Sequence, residues 1–239
     1  MLLVAPPAQC GRQLRRENGE NGRIAAASPP PMAARPGLIA AKQRTRLTGG
    51  GRLAAMSNPA ATLMDVDAFL AWAEGRGGRW ELHDGKPVMM APEPAAHALT
   101  KFAAQRSLDA AVLRAGLPCR VFPDGMTVRI SAKTAFEPDA LIVCPGPADL
   151  DTMEVPDPVV VVEVLSPSAA ADDHGPKLDG YFSLPSVAHY LILDPDRRVM
   201  IWHKRGAAGA IETRILSEGL VRLEPPGIEA EVLGFFAAP

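Results

Sequence analysis

A chain of 239 residues is long enough for one domain with a full hydrophobic core. Its 47% hydrophobic and 22% charged content is ordinary for a soluble globular protein, and no apolar run approaches the ~20 residues that span a bilayer. The net charge of −2 hides a division: residues 1–55 carry nine Lys and Arg against two acids, and residues 56–239 hold the other 16 bases and 25 acids, so the body lacks the broad basic footprint of a non-specific DNA binder.

Residues 1–55 are rich in Ala, Arg, Gly and Pro and include Ser28-Pro29-Pro30-Pro31 and Gly49-Gly50-Gly51. With no sustained apolar period, they read as a disordered basic extension. They would act as an arm for nucleic acid, or reflect an upstream translation start with Met56 as the true first residue. Met1 to Pro7 has no basic leader and makes a poor secretory signal. Cys10, Cys119 and Cys144 are odd in number and lack motif spacing, which points to a reducing cytoplasm and no disulfide.

The ordered body is read as one domain over 56–239. Thr62 is the expected N-cap of a helix running to about Glu74 and stopped by Gly75. Trp80–Leu82 and Pro87–Met90 flank Asp84-Gly85, a favoured tight-turn pair, and read as a hairpin. Ala95–Ala115 is a long helix ended by Gly116 and Pro118, with Leu99, Phe102, Ala103, Arg106, Ala110 and Leu113 marking one side. His97 in its first turn reads as structural. Strands are expected over Cys119–Phe122 and Met126–Ile130. The acidic stretch 145–158 fits no Ca²⁺ loop and reads as a solvated connection. Pro176 is placed to open a helix bearing Lys177 and Tyr181, with Tyr181 as packing. His189–Leu193 and Arg198–His203 form an antiparallel pair. Glu212–Leu216 and Leu220–Leu223 form a terminal pair, and Ile228, Val232, Leu233, Phe235 and Phe236 close the sheet.

Two apolar runs are each interrupted by an acid: Phe136-Glu137-Pro138-Asp139-Ala140-Leu141-Ile142-Val143 and Val159 to Ser168 around Glu163. Both read as buried strands. If the strands are neighbours, Asp139 and Glu163 meet on one face. A buried carboxylate needs a cation partner or a metal; a pair without nearby Cys or paired His suits an oxygen-loving ion such as Mg²⁺. Without the metal, two acids on one face should repel, so neutralising either should leave stability unchanged or raise it.

Pro138-Asp139 followed by Glu163 resembles the PD-(D/E)xK nuclease signature. The wider order is Trp80 to Met90, Pro138-Asp139, Val162 to Ser168, Lys177-Leu178 with Tyr181, then Tyr190 to Pro195. It resembles the Uma-two family of restriction-endonuclease-like proteins, over roughly Thr62 to Phe236. The resemblance implies an α/β fold with a mixed central sheet flanked by helices and an additional N-terminal hairpin. The superfamily Lys, expected two residues after Glu163, is Leu165 here, and Lys177 matches the family's later Lys.

By that resemblance, Asp139, Glu163 and a backbone carbonyl near Val164 hold Mg²⁺ or Mn²⁺, Lys177 stabilises developing charge, and Glu81 is a further ligand or orienting group. The implied reaction is metal-dependent hydrolysis of DNA, with DNA as partner, no membrane, and homodimerisation left open. Lys101, Arg106 and Lys133 are the next cations if Lys177 faces solvent. The rival is a nuclease-fold binding module without useful turnover.

Overall fold

Asp84 and Gly85 both take positive φ, 49° and 80°, in the computed structural model of the chain, which describes residues 63–147, 149–165 and 174–236. Two positive φ values in succession make the hairpin turn that matches strand twist. It joins β1 (Trp80–His83) to β2 (Lys86–Met89), with Leu82 opposite Pro87. Before this hairpin, α1 spans Val66–Ala73 and is capped by Asp65, whose side chain accepts the Ala68 N–H at 2.8 Å. The cap is therefore Asp65 rather than Thr62, which lies outside the described residues, as do the 1–55 extension, Met56 and Cys10.

α2 spans Ala95–Ala115 and ends at Gly116 in the left-handed region. Its buried side consists of His97, Thr100, Lys101, Ala104, Leu108, Ala111 and Val112. The apolar side expected from the sequence is turned the other way: Leu99, Phe102 and Leu113 are 55%, 57% and 72% exposed. The small residues Ala104 and Ala111 permit close approach to the sheet, and the two buried basic side chains serve a polar site rather than the core.

After α2 come β3 (Arg120–Pro123), β4 (Val128–Ser131), β5 (Thr134–Phe136), β6 (Ala140–Val143) and β7 (Pro158–Val164). The segment read as one strand from Phe136 to Val143 is two. β5 pairs with β1 and β4 in a four-stranded sheet of order β2-β1-β5-β4, whereas β6 pairs with β3 and β7 in another. Glu137-Pro138-Asp139 is the crossing between sheets, and Pro138, which has no N–H to give a ladder, suits that place.

α3 (His174–Ser183) connects β7 to the parallel β8 (His189–Asp194), the crossover that parallel strands require. It starts two residues before Pro176; the preceding Ser166-Pro167-Ser168 lies outside the described residues. Gly180 lets α3 close on β5, since a Cβ there would stand 2.8 Å from Phe136. β9 (Val199–Arg205) and β10 (Ile211–Leu216) complete a mixed six-stranded sheet of order β10-β9-β8-β7-β6-β3.

The last elements pair differently from the expectation. β10 lies against β9, while β11 (Leu220–Leu223) pairs with β12 (Ile228–Glu231). Ile228, Val232, Phe235 and Phe236 are buried against the face that α2 also covers, and Leu233 is exposed. The opposite face, with Leu141, Val161, Tyr190 and Ile192, packs on Tyr181 and Phe182 of α3.

The cysteine expectation also needs correcting. Arg120 stands opposite Val143 in the β3–β6 ladder. Cys119 and Cys144 therefore meet just beyond it and form a disulfide, with Cα atoms 4.3 Å apart. The pairing is a product of strand register, which sequence spacing does not reveal.

Candidate active site

The β6–β7 register decides where the acids stand. Ala140, the first residue of β6, is opposite Val162, and the Asp139 N–H just before it also donates to the Val162 carbonyl at 3.0 Å, which brings Asp139 beside the Glu163 end of β7. Asp139 and Glu163 are 3% and 7% exposed. Both line one cavity with Glu81, His83, Glu93, His97, Val164 and Lys177. Val164 enters through its N–H, which donates to Asp139 Oδ2 at 2.7 Å.

On one side, α3 carries Lys177 over the sheet. Lys177 Nζ lies 3.1 Å from Glu163 Oε1 and 2.9 Å from Glu81 Oε1. Tyr181, one turn on, donates its hydroxyl to the same Glu163 oxygen at 2.8 Å. Glu81 also accepts the Glu137 N–H at 3.0 Å and faces His83 Nε2 at 3.0 Å. Tyr181, read from sequence as packing, is thus a polar partner of the acid. Its spacing from Lys177 was the available signal.

On the other side, the first turns of α2 and the loop before it supply a dense ion-pair group. Lys101 Nζ donates to Glu93 and Asp124, each at 2.6 Å, and stands 3.5 Å from Asp139 Oδ1. Arg79 pairs with Glu93, with Glu137 at 2.5 Å and with Asp124 at 3.1 Å. His97 Nε2 is 3.4 Å from Asp139 Oδ2 and 3.8 Å from Glu93 Oε2. Gln105 donates to the Asp139 carbonyl at 3.0 Å. His97, expected to be structural, and Lys101, a reserve cation, both face the acid. Arg79, Glu93 and Glu137 were not foreseen, because ion pairs between separate loops and strands leave no periodic signal.

These neighbours set the acids' protonation in opposite senses. Burial pushes Glu163 up to about 7, the Lys177 charge pulling it back while Asp139 and Glu81 add to the rise. Burial also raises Glu81, but His83, Lys177 and the Glu137 N–H outweigh it and bring it down to about 2. Asp139 is held low against burial by His97, the Val164 N–H and Lys101. Lys177 is buried too, yet Glu163 and Glu81 raise its affinity for a proton. A strongly basic ammonium therefore lies beside an acid that titrates near neutrality.

The donor set suits a divalent ion. Ligand atoms of Glu93, His97 and Asp139 all lie within 4.8 Å of one another, and Glu163 opens on the same cavity. Carboxylate oxygens and one imidazole accept hard and borderline cations.

Comparison with known proteins agrees with this architecture. A crystal structure of a putative nuclease belonging to DUF820 from Anabaena variabilis is similar, with a TM-score of 0.57 and 15% identity over 72% of this chain and 97% of that one. The fold is that of restriction-endonuclease-like nucleases, a mixed sheet with helices on its faces. The family Uma2, described as "Putative restriction endonuclease", matches residues 66–233, and the chain belongs to it. An uncharacterized protein of Synechocystis sp., sll1609, is 30% identical over 102 residues, 41% of this chain and 58% of that protein. The match thus spans little more than half the length of that curated relative. Among the described residues no helix is long and apolar enough to cross a membrane.

Proposed function

We propose that the chain is a divalent-metal-dependent endonuclease that hydrolyses phosphodiester bonds in DNA. The observation that carries the reading is that Asp139, Glu163 and Lys177 line one cavity, with Asp139 Oδ2 taking the N–H of Val164, the residue after Glu163, at 2.7 Å. Asp139, Glu163 and the backbone carbonyl of Val164 would hold Mg²⁺ or Mn²⁺. When bound, such an ion supplies charge neutralisation at phosphate oxygens and lowers the pKa of an attacking water.

The chain's own groups do the rest. Glu81, anchored by the Glu137 N–H, holds the Lys177 ammonium beside Glu163. Lys177 then faces the developing negative charge of the phosphate, the role of a preorganised cation. Tyr181 fixes the Glu163 carboxylate through its hydroxyl. Residues 1–55, with their basic excess, would add a salt-dependent grip on the substrate backbone.

One observation favours the rival, a binding module without turnover. Lys177 and Lys101 are each engaged by two carboxylates, so either must exchange a partner to meet a phosphate. A panel of single-stranded, duplex and branched DNA and of RNA, with Mg²⁺ or Mn²⁺, decides between them. Cleavage of DNA that is lost on chelation supports the nuclease. Binding without cleavage under every condition supports the rival.

A further inference from the structure

The cavity contains a second donor set, which takes Asp139 from the Asp139–Glu163 pair and joins it to Glu93 and His97. Glu93 and Asp139 each divide their two oxygens. Glu93 Oε1 accepts from Arg79 and Lys101, while its Oε2 faces His97 Nε2. Asp139 Oδ1 faces Lys101 and Arg79, while its Oδ2 faces His97 Nε2 and receives the Val164 N–H. The inward oxygens and the imidazole nitrogen are 3.4 and 3.8 Å apart, longer than an ordinary N–H···O bond. His97 is 7% exposed, and its Nδ1 has no partner among the described residues. That nitrogen is on the other side of the ring; it is Nε2 that turns to the two carboxylates, bonded closely to neither, and is open to a ligand shared with them.

Charge points the same way. Glu93, Asp124, Glu137 and Asp139 are paired with Arg79 and Lys101, and these four carboxylates against two bases leave a formal balance of −2. A single dication neutralises it. The two bases grip the outer oxygens and so orient the inner ones, as outer-sphere partners do at metal sites. From these distances we infer that Glu93, His97 and Asp139 form a second cation site that takes a first-row transition-metal dication in preference to Mg²⁺. Imidazole suits such ions, whereas Mg²⁺ prefers an all-oxygen octahedron and gives up its water reluctantly. The site shares Asp139 with the proposed nuclease centre and deepens that reading, but its occupancy requires no cleavage.

The test uses the full chain stripped with EDTA and titrated separately with Co²⁺ and Mg²⁺. Visible absorption and the hyperfine-shifted proton signal of a metal-bound imidazole report Co²⁺ at a histidine. The wild type should show that signal and bind Co²⁺ more tightly than Mg²⁺. His97→Ala should abolish the signal and weaken Co²⁺ by at least ~10-fold, since even outer-sphere losses cost that much, while Mg²⁺ affinity is unmoved. Glu163→Gln should retain the signal. Glu93→Gln, which keeps side-chain volume and leaves Lys101 and Arg79 their other acids, should weaken Co²⁺ while remaining folded in EDTA, and so covers a failure of His97→Ala to fold. Absence of the signal in the wild type, or equal Co²⁺ affinity in wild type and both variants, overturns the site. DNA cleavage in Mg²⁺ is scored in parallel: its failure overturns the nuclease reading and leaves the Co²⁺ result standing.

Discussion

Lys177 and Glu163 form a buried pair, Nζ to Oε1 at 3.1 Å, although they are fourteen residues apart and come from a helix and a strand. Lys177→Ala would leave Glu81 and Glu163 buried with no shared cation. Removing one partner of a buried pair costs about 3–5 kcal/mol, so the denaturant midpoint at pH 8 should fall clearly. Under conditions where the variant stays folded, turnover should drop by roughly 10²-fold, the usual effect of losing one transition-state donor. Lys177→Arg should restore stability more than turnover, because a planar fork replaces a compact charge. Full activity in Lys177→Ala would remove the residue from the chemistry.

The pH dependence follows from the direction of each shift. A free Glu carboxyl titrates near 4.5, and Glu163 in the fold near 7. Between those values the native state binds the extra proton, so this residue makes stability fall as pH rises from 4.5 through 7. Glu81, lowered to about 2, contributes stability above pH 4.5 that is lost as pH falls towards 2. Glu163→Gln should therefore match the wild type at pH 5 and equal or exceed it at pH 8, by on the order of 1–3 kcal/mol. Urea melts at the two pH values check this. A steep loss at pH 8 would show that Glu163 is chiefly a structural partner of Lys177.

Asp139 behaves differently, and here the expectation that neutralising either acid is harmless gives way. Asp139 has Lys101, His97 and the Val164 N–H around it, which hold its carboxyl below the ordinary range. Asp139→Asn forfeits those contacts and should cost about 2–3 kcal/mol at pH 7, below the range for an isolated buried pair because Lys101 retains Glu93 and Asp124. Thermal denaturation without metal measures it. An unchanged midpoint would show that repulsion from Glu163 dominates.

Tyr181→Phe removes the hydroxyl that donates to Glu163 while leaving the ring packed against Phe136 and Tyr190. That hydrogen bond helps to hold Glu163 down. The acid limb of the pH–rate profile should therefore move to higher pH in the variant, with little change in the plateau. A plateau loss with an unmoved limb would assign Tyr181 another role.

Every buried core side chain among the described residues lies within 66–236. A chain begun at Met56 should keep the thermal midpoint of the full protein. If 1–55 is an arm for nucleic acid, the same truncation should weaken DNA binding and flatten its salt dependence. A large fall in midpoint would show that the segment belongs to the folded body.

Much of the architecture was legible because local signals were strong. Asp84-Gly85 marked the hairpin, Gly116 closed α2, and the Val-rich run around Glu163 marked β7. That Asp139 and Glu163 share one cavity needed only that β6 and β7 be neighbours. What escaped was decided by tertiary position. α2 buries Lys101 and His97 and exposes Phe102, reversing the side that hydrophobicity alone selects. The break between β5 and β6 was hidden in a continuous apolar run. The Cys119–Cys144 contact depends on the β3–β6 register, and the Arg79 ion pairs depend on segments far apart in sequence.

Cleavage of supercoiled plasmid in Mg²⁺ and in Mn²⁺, comparing the wild type with Glu163→Gln, is the most direct measurement of the nuclease reading. Wild-type protein should nick or linearise the plasmid, and EDTA should stop it. Glu163→Gln, folded and at least as stable, should lose the activity by at least ~10²-fold, the scale of losing one transition-state contact. Equal cleavage by wild type and Glu163→Gln, or no cleavage by the wild type with either ion at any pH from 6 to 9, would contradict it.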